Sequence, residues 1–139
     1  MSFKYIKENS NIDDIVLIVP SDHLIVQNDK FVQTIKEGAV LAEKGYIVTF
    51  GIKPTYPETG YGYVKTKEKL LCGMKVDRFV EKPNLDLAKE YIKSGNYYWN
   101  SGIFMGKISV LLDEFKNFMP NIYENLTKLD FSKETKINY

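Results

Sequence analysis

The sequence predicts an α/β fold with a mixed, mostly parallel sheet and flanking helices. Three observations predict it. Residues 15–19 (IVLIV) form a wholly apolar, β-branched run that ends at Pro20, the pattern of a strand buried on both faces in a parallel sheet. A helical period follows, carried by Phe31, Val32, Ile35, Ala39 and Ala42, with the apolar positions on one stripe. A second strand, 46–52, comes next. A strand–helix–strand unit closes with a right-handed crossover, which places both strands in one parallel sheet.

Residues 3–8 read as the end of a helix leading into the first strand. Asn28 or Asp29 can cap the helix that runs to about Glu43, and Gly45 ends it. The segment 61–67 and the segment 75–81 are strand-like, with a turn around Cys72-Gly73. Asn84 or Asp86 caps a helix that runs to Ser94 and stops at Gly95. The aromatic run 97–105 is another strand. Ile108, Leu111, Leu112 and Phe115 share one face of a helix over 108–118. Pro120 opens a last helix to about Leu129, and residues 130–139 read as frayed.

Composition narrows the functional classes. At 139 residues and 44% hydrophobic content, the chain can bury one real core. A net charge of +1 argues against nucleic-acid binding, which needs a basic excess or stripe. Cys72 is the only cysteine and His23 the only histidine. That removes intramolecular disulfides and cysteine-cluster metal sites, and argues against a zinc site or a Cys–His nucleophile pair. No apolar run is long enough to span a membrane, and the first residues lack the apolar core of a secretory signal. A cytoplasmic location is the default expectation.

The segment 50–63, FGIKPTYPETGYGY, is the most informative stretch, with two prolines and three glycines. If Gly60, Tyr61, Gly62 and Tyr63 alternate on a strand, the glycines share a face without side chains. A ligand ring could then lie against the backbone around Gly62. The plainer reading is a glycine-rich turn entering a hairpin. Asp22 follows the carboxyl end of the first strand, the edge where ligands bind in open α/β sheets. A carboxylate there suits Mg²⁺, which takes one or two carboxylates plus substrate phosphates; a turn or capping role fits the position equally well. Glu81, Lys82 and Pro83 close a later strand. In a regular strand Glu81 and Lys82 point to opposite faces, whereas a bend at the proline brings both into one cleft. An acid accepts hydrogen bonds from sugar hydroxyls, and a lysine neutralises a phosphate as a point charge; the alternative is a solvated ion pair at a strand end. Asn100, beside Ser101 and Gly102, offers both donors and an acceptor to a polyol. Trp99 and Tyr98 read as core or wall.

Taken together, VPSDHLI at 19–25, FGIKPTYPETGYGYV at 50–64, VDRFVEKPNLDLAKEYI at 76–92 and YYWNSGIFMGK at 97–107 resemble the sugar-nucleotidyltransferases. Within them the match is to the bacterial mannose-1-phosphate guanylyltransferases (GDP-mannose pyrophosphorylases). The pieces stand in the family's order and cover most of residues 15–125. The resemblance implies a Rossmann-like nucleotidyltransferase fold. It implies the reaction of GTP with mannose 1-phosphate to give GDP-mannose and pyrophosphate, assisted by Mg²⁺. It also implies roles. Asp22 matches the metal-binding aspartate, the backbone around Gly62 the sugar-contacting segment, and Glu81 the acid on the sugar hydroxyls. Lys82 matches the catalytic lysine on the sugar phosphate, and Asn100 the asparagine on the hexose.

The departures matter as much. The family's Gly-rich loop with an Arg and a Trp-Pro pair, its base-reading segment and its second metal-binding aspartate are not found in these 139 residues. The expectation is therefore a partial nucleotidyltransferase domain, residues 1–139, that holds the central and sugar-binding portion and does not make GDP-mannose alone. Uncovered sheet edge favours self-association. Two other readings stand beside this one. They are a nucleotidyltransferase for another hexose 1-phosphate, and a degenerate, non-catalytic sugar-phosphate-binding module.

Overall fold

The structure, a computed structural model, describes residues 11–128. The helix end expected at 3–8 and the fraying expected at 130–139 lie outside the described residues. Strands β1 (Ile15–Ile18), β2 (Val48–Ile52), β3 (Tyr63–Lys69), β4 (Met74–Val80) and β5 (Tyr97–Lys107) form one sheet. Helices α1 (Asn28–Glu43), α2 (Leu85–Ser94), α3 (Ile108–Phe118) and α4 (Pro120–Lys128) flank it. The α/β class, the sheet and its flanking helices are as predicted.

The pairing differs from a mostly parallel sheet. Every strand pair among the described residues is antiparallel. The reason is β5, which enters between the two strands of the predicted crossover unit. Phe104 and Met105 of β5 face Ile18 and Leu17 of β1 on one edge and Thr49 and Val48 of β2 on the other. Strands β1 and β2 therefore run in the same direction in one sheet without pairing. On the edge shared with β1, the first half of β5 pairs with β3 through Tyr63↔Trp99, Val64↔Tyr98 and Lys65↔Tyr97. Strand β4 closes a hairpin on β3, its turn bonded from Leu70 N–H to Gly73 O at 2.8 Å.

Other boundaries moved for local reasons. Strand β1 is only half-buried, not covered on both faces, and it pairs on one edge alone among the described residues. Neither Asn28 nor Asp29 caps α1; Gln27 takes the cap position and makes no side-chain bond there. The buried face of α1 is Gly38, Leu41 and Ala42, whereas Val32 is exposed. This rotation follows from Gly38, whose missing side chain lets the Phe50 ring approach; a Cβ there would stand 2.8 Å from Phe50 Cζ. Helix α2 begins as predicted, with Asn84 Oδ1 accepting from Leu87 N–H at 3.0 Å, and ends at left-handed Gly95.

One part of the core lies under α2. Tyr63, Ala88, Tyr97 and Trp99 are buried together, with Tyr91 stacked on Tyr97 at 3.9 Å between ring centroids. Full burial of an aromatic such as Tyr63 contributes roughly 2–3 kcal/mol. On the other half of β5, Ile103, Met105, Ile108, Leu111 and Leu112 are buried where α3 folds back. The two halves anchor both ends of β5, and the candidate site is built along its middle.

Candidate functional site

Three segments meet beside Asn100. The first is the loop before β3. Gly60, Tyr61 and Gly62 form a bend rather than the predicted strand, which starts at Tyr63. The bend is fixed by Glu58, whose Oε1 accepts from Gly60 N–H at 2.7 Å, and by Tyr63, whose hydroxyl donates to Glu58 O at 2.7 Å. Tyr56 and Tyr61 close over the Trp99 indole, edge to face, at 5.0 and 5.5 Å. Partial loss of hydration, then the neighbouring Tyr61 and Glu58, holds the Tyr56 phenol above its ordinary pKa. Trp99 is thus core, as predicted.

The second segment is the exit from β4. The chain leaves Val80 through Glu81 and turns at Lys82, which has a left-handed φ of +35°. Lys82 is the one non-glycine residue with positive φ among the described residues. The turn brings Lys82 Nζ to 3.6 Å from Glu81 Oε1, with both side chains open to solvent at 63% and 77% exposure. This is the bend that the sequence allowed at Pro83, and Pro83 is buried behind it. A pair so exposed contributes about 0–1 kcal/mol to stability, which leaves both charges available to a ligand.

The third segment is β5 itself. Gly62 O accepts from Asn100 N–H at 2.8 Å. A Cβ on Gly62 would stand 3.3 Å from Glu81 Oε2 and 3.8 Å from Asn100 Cβ. Gly62, Glu81 and Asn100 are therefore brought together, with the bare Gly62 backbone between the other two side chains. Lys82 joins them through Glu81.

Asp22 stands differently. On their shared edge of β5, the end of β1 and the start of β3 face each other across Asn100–Ile103. A Cβ on Gly102 would stand 3.4 Å from Pro20 Cγ, so the loop after β1 leaves at this crevice. Asp22 is two residues further along and fully in solvent-facing loop. Among the described residues no hydrogen bond or ion pair joins Asp22 to Glu81, Lys82 or Asn100. No group of three or more His, Cys, Asp and Glu side chains is gathered for a metal ion there either. A single exposed carboxylate matches what Mg²⁺ takes from protein when substrate phosphates supply the remaining oxygens; it does not make a closed ion cage.

Sequence reasoning missed the residues that hold Asn100. Thr49 Oγ1 lies 3.5 Å from Asn100 Oδ1 and 3.2 Å from Ile103 O, and Ser101 Oγ donates to Phe50 O at 2.6 Å. Thr49 is 51 residues away in the chain, and nothing in its local pattern marks it.

Comparison with known proteins places this arrangement in a family. The family model for nucleotidyl transferases matches residues 2–138. The chain belongs to the nucleotidyl transferase family. Mannose-1-phosphate guanylyltransferase 2 of Escherichia coli O157:H7 is 45% identical over 130 residues, which cover 88% of this chain and 27% of that protein. A mannose-1-phosphate guanylyltransferase of Escherichia coli K12 is 38% identical over 132 residues, covering 91% and 28%. The chain spans about a quarter of the length of the curated relatives it matches. Among solved structures, a protein described as a mannose-1-phosphate geranyltransferase from Thermus thermophilus superposes with a TM-score of 0.81 at 30% identity, over 90% of this chain and 36% of that one. A protein described as mannose-6-phosphate isomerase from Helicobacter pylori gives 0.75 at 40% identity, over 86% and 45%. For a nucleotidyl transferase the crevice along β5 is the natural candidate site, since it collects an acid, an amine and an amide around exposed backbone. Among the described residues no helix is long and apolar enough to cross a membrane.

Proposed function

We propose that this chain supplies the sugar 1-phosphate side of a mannose-1-phosphate guanylyltransferase. In that reaction a phosphate oxygen of mannose 1-phosphate attacks the α-phosphorus of GTP. The bond from the α-phosphorus to the β-bridging oxygen breaks, and pyrophosphate leaves. The observation that carries this reading is the Gly62 contact. A Cβ on Gly62 would stand 3.3 Å from Glu81 Oε2 and 3.8 Å from Asn100 Cβ, so residues from three separate segments converge on the space that the glycine leaves open. The two E. coli relatives and the two solved neighbours described above are all named for a phosphate of mannose, which supports mannose over another hexose.

The roles follow from chemistry. Ionised Glu81 only accepts hydrogen bonds, so it takes them from sugar hydroxyls. Gly62 lets the ring lie against backbone N–H and C=O groups. Lys82 is the mobile point charge that offsets the sugar phosphate as charge shifts in the transition state. Asn100 adds the amide contact. Asp22, on the loop leaving the crevice, is the carboxylate that would hold Mg²⁺, and the ion would offset negative charge on the phosphates. For such a transfer the protein acts by positioning groups and balancing charge. The reacting partners are GTP and mannose 1-phosphate, and the location is cytoplasmic.

Calorimetric titration tests this. Mannose 1-phosphate with Mg²⁺ is expected to bind the chain at least tenfold more tightly than glucose 1-phosphate. With GTP added, no pyrophosphate release is expected from these 139 residues, because they contain no Gly-rich, Arg-bearing loop. Equal affinity for the two sugars would point to a different hexose. Robust turnover would show that the chain carries nucleotide-binding elements of another kind.

A further inference from the structure

The geometry around β5 points to a fixed orientation of the Asn100 carboxamide. We propose that Thr49 and Ser101 are positioning residues that turn Asn100 Oδ1 into the protein and leave Nδ2 to act on the sugar as a donor. This rests on the sugar-binding reading above for the ligand, though not for the orientation.

The orientation comes from a bulge. Strand β2 pairs Thr49 with Phe104 and then Gly51 with Asn100. One intervening residue of β2, Phe50, therefore faces three of β5: Ser101, Gly102 and Ile103. The surplus is folded in by Gly102, at a left-handed φ of +71°, a conformation that suits glycine. The buried Ser101 hydroxyl pins the bulge, donating to Phe50 O at 2.6 Å and accepting from Ile103 N–H at 3.2 Å. In this shape Gly102 N–H donates to the Asn100 side chain at 3.1 Å, and the Thr49 hydroxyl, whose one proton has Ile103 O as its nearer acceptor at 3.2 Å, braces the bulge 3.5 Å from the same Asn100 oxygen. An amide nitrogen cannot accept from Gly102 N–H, so the atom facing the bulge is oxygen. The Nδ2 amino group then carries two hydrogens with no hydrogen-bond partner among the described residues. The Asn100 side chain starts 3.8 Å from the position of a Gly62 Cβ, and Glu81 Oε2 is 3.3 Å from that position. Asn100 and Glu81 thus present opposite senses at one crevice: Asn100 only donates, and Glu81 only accepts. Two neighbouring hydroxyls would be read with opposite polarity, one by its lone pair and one by its proton.

Hydrogen exchange and binding test this separately. In the unaltered chain the Gly102 amide should exchange slowly by NMR. Asn100→Ala should speed that exchange at least tenfold, while Asn100→Asp, which keeps an acceptor, should preserve it. Asn100→Asp should nevertheless weaken mannose 1-phosphate binding at least tenfold, because both donors are gone. Ser101→Ala and Thr49→Val should weaken binding several-fold and speed Gly102 exchange, whereas Thr49→Ser should restore both. Unchanged Gly102 protection in Asn100→Ala would overturn the orientation. Full-strength binding by Asn100→Asp would overturn the donor role. If the unaltered chain binds no mannose 1-phosphate, the sugar reading fails, and the exchange arm still decides the orientation.

Discussion

At Lys82 the backbone holds a left-handed φ of +35°, a conformation that costs a non-glycine residue about 1–2 kcal/mol. The strain sits on the residue assigned to the sugar phosphate, so stability and binding should part company there. Lys82→Gly is expected to leave the urea-unfolding free energy unchanged or raise it by up to about 1 kcal/mol, since relief of strain outweighs the entropy of a freer unfolded chain. The same variant should lose mannose 1-phosphate affinity. Lys82→Gln, which keeps the strain and drops the charge, should lose affinity with no gain in stability. A Lys82→Gly chain that is destabilised, or that binds at full strength, would refute this reading. Tyr56 carries a second residue-level prediction. Its phenol is held above the ordinary value by partial dehydration, then by Tyr61 and Glu58. A raised pKa means that the folded chain holds this proton more tightly than the unfolded chain does. The resulting stabilisation is complete below the unfolded pKa of about 10 and is lost as pH rises through the folded one. Absorbance titration at 295 nm, taken as the difference from Tyr56→Phe, should show late ionisation, and Glu58→Gln should bring it earlier. Ionisation at or below the ordinary phenol value would contradict the arrangement.

Single elements show where sequence reading succeeds and where it stops. Helices α2 and α3 were legible because their signals are local. Asn84 and Gly95 bracket one, and Ile108, Leu111 and Leu112 stripe the other. The five strands were legible as segments for the same reason. Pairing was not, because insertion of β5 between β1 and β2 is decided by contacts across the sheet that no local window contains. The cluster of Gly62, Glu81 and Asn100 was legible as residue types on strand ends. Its holders, Thr49 and Ser101, were not, because their role depends on a register jump between β2 and β5. The buried face of α1 was misjudged for a similar reason. An apolar stripe suggested Val32, but close approach at Gly38 sets the helix rotation. Gly38→Ala tests that. Alanine gains about 0.5–1 kcal/mol of helix preference, yet its Cβ would meet Phe50 Cζ at 2.8 Å and Cε1 at 3.1 Å. Overpacking of this sort costs about 1–3 kcal/mol. A net loss of about 1–2 kcal/mol is expected in thermal unfolding, reversed to a gain when Phe50→Leu is added. A stabilised single variant would show that α1 is seated by something else.

The whole molecule leaves strand edges unpaired among its described residues. Strands β1 and β2 each bond only to β5, on opposite edges, and β4 only to β3. The three edges differ in chemistry: β2 is uncharged but irregular, with a register shift between Thr49 and Gly51 of the kind that blunts an edge. Strand β4 carries Lys75, Asp77 and Arg78, charges that discourage another strand from adding. Strand β1 is Ile15, Val16, Leu17 and Ile18 with no charge at all. The apolar surface continues past it, since Val19 is 52% exposed, Leu24 87% and Val26 79%. An uncharged β-branched edge beside exposed aliphatic side chains is a template for a second strand. A net charge of +1 gives almost no long-range repulsion to oppose it. Self-association through β1 is therefore the expected behaviour of this chain in solution. Light scattering during size exclusion should show mass rising with loading concentration. Ile18→Lys places a charge at an already exposed position, 39% open, so it should shift the profile to monomer while leaving the melting temperature nearly unchanged. A charge added instead on β4, at exposed Phe79, should have little effect. A clean monomer at high concentration, or equal dispersal by the two substitutions, would remove β1 as the contact.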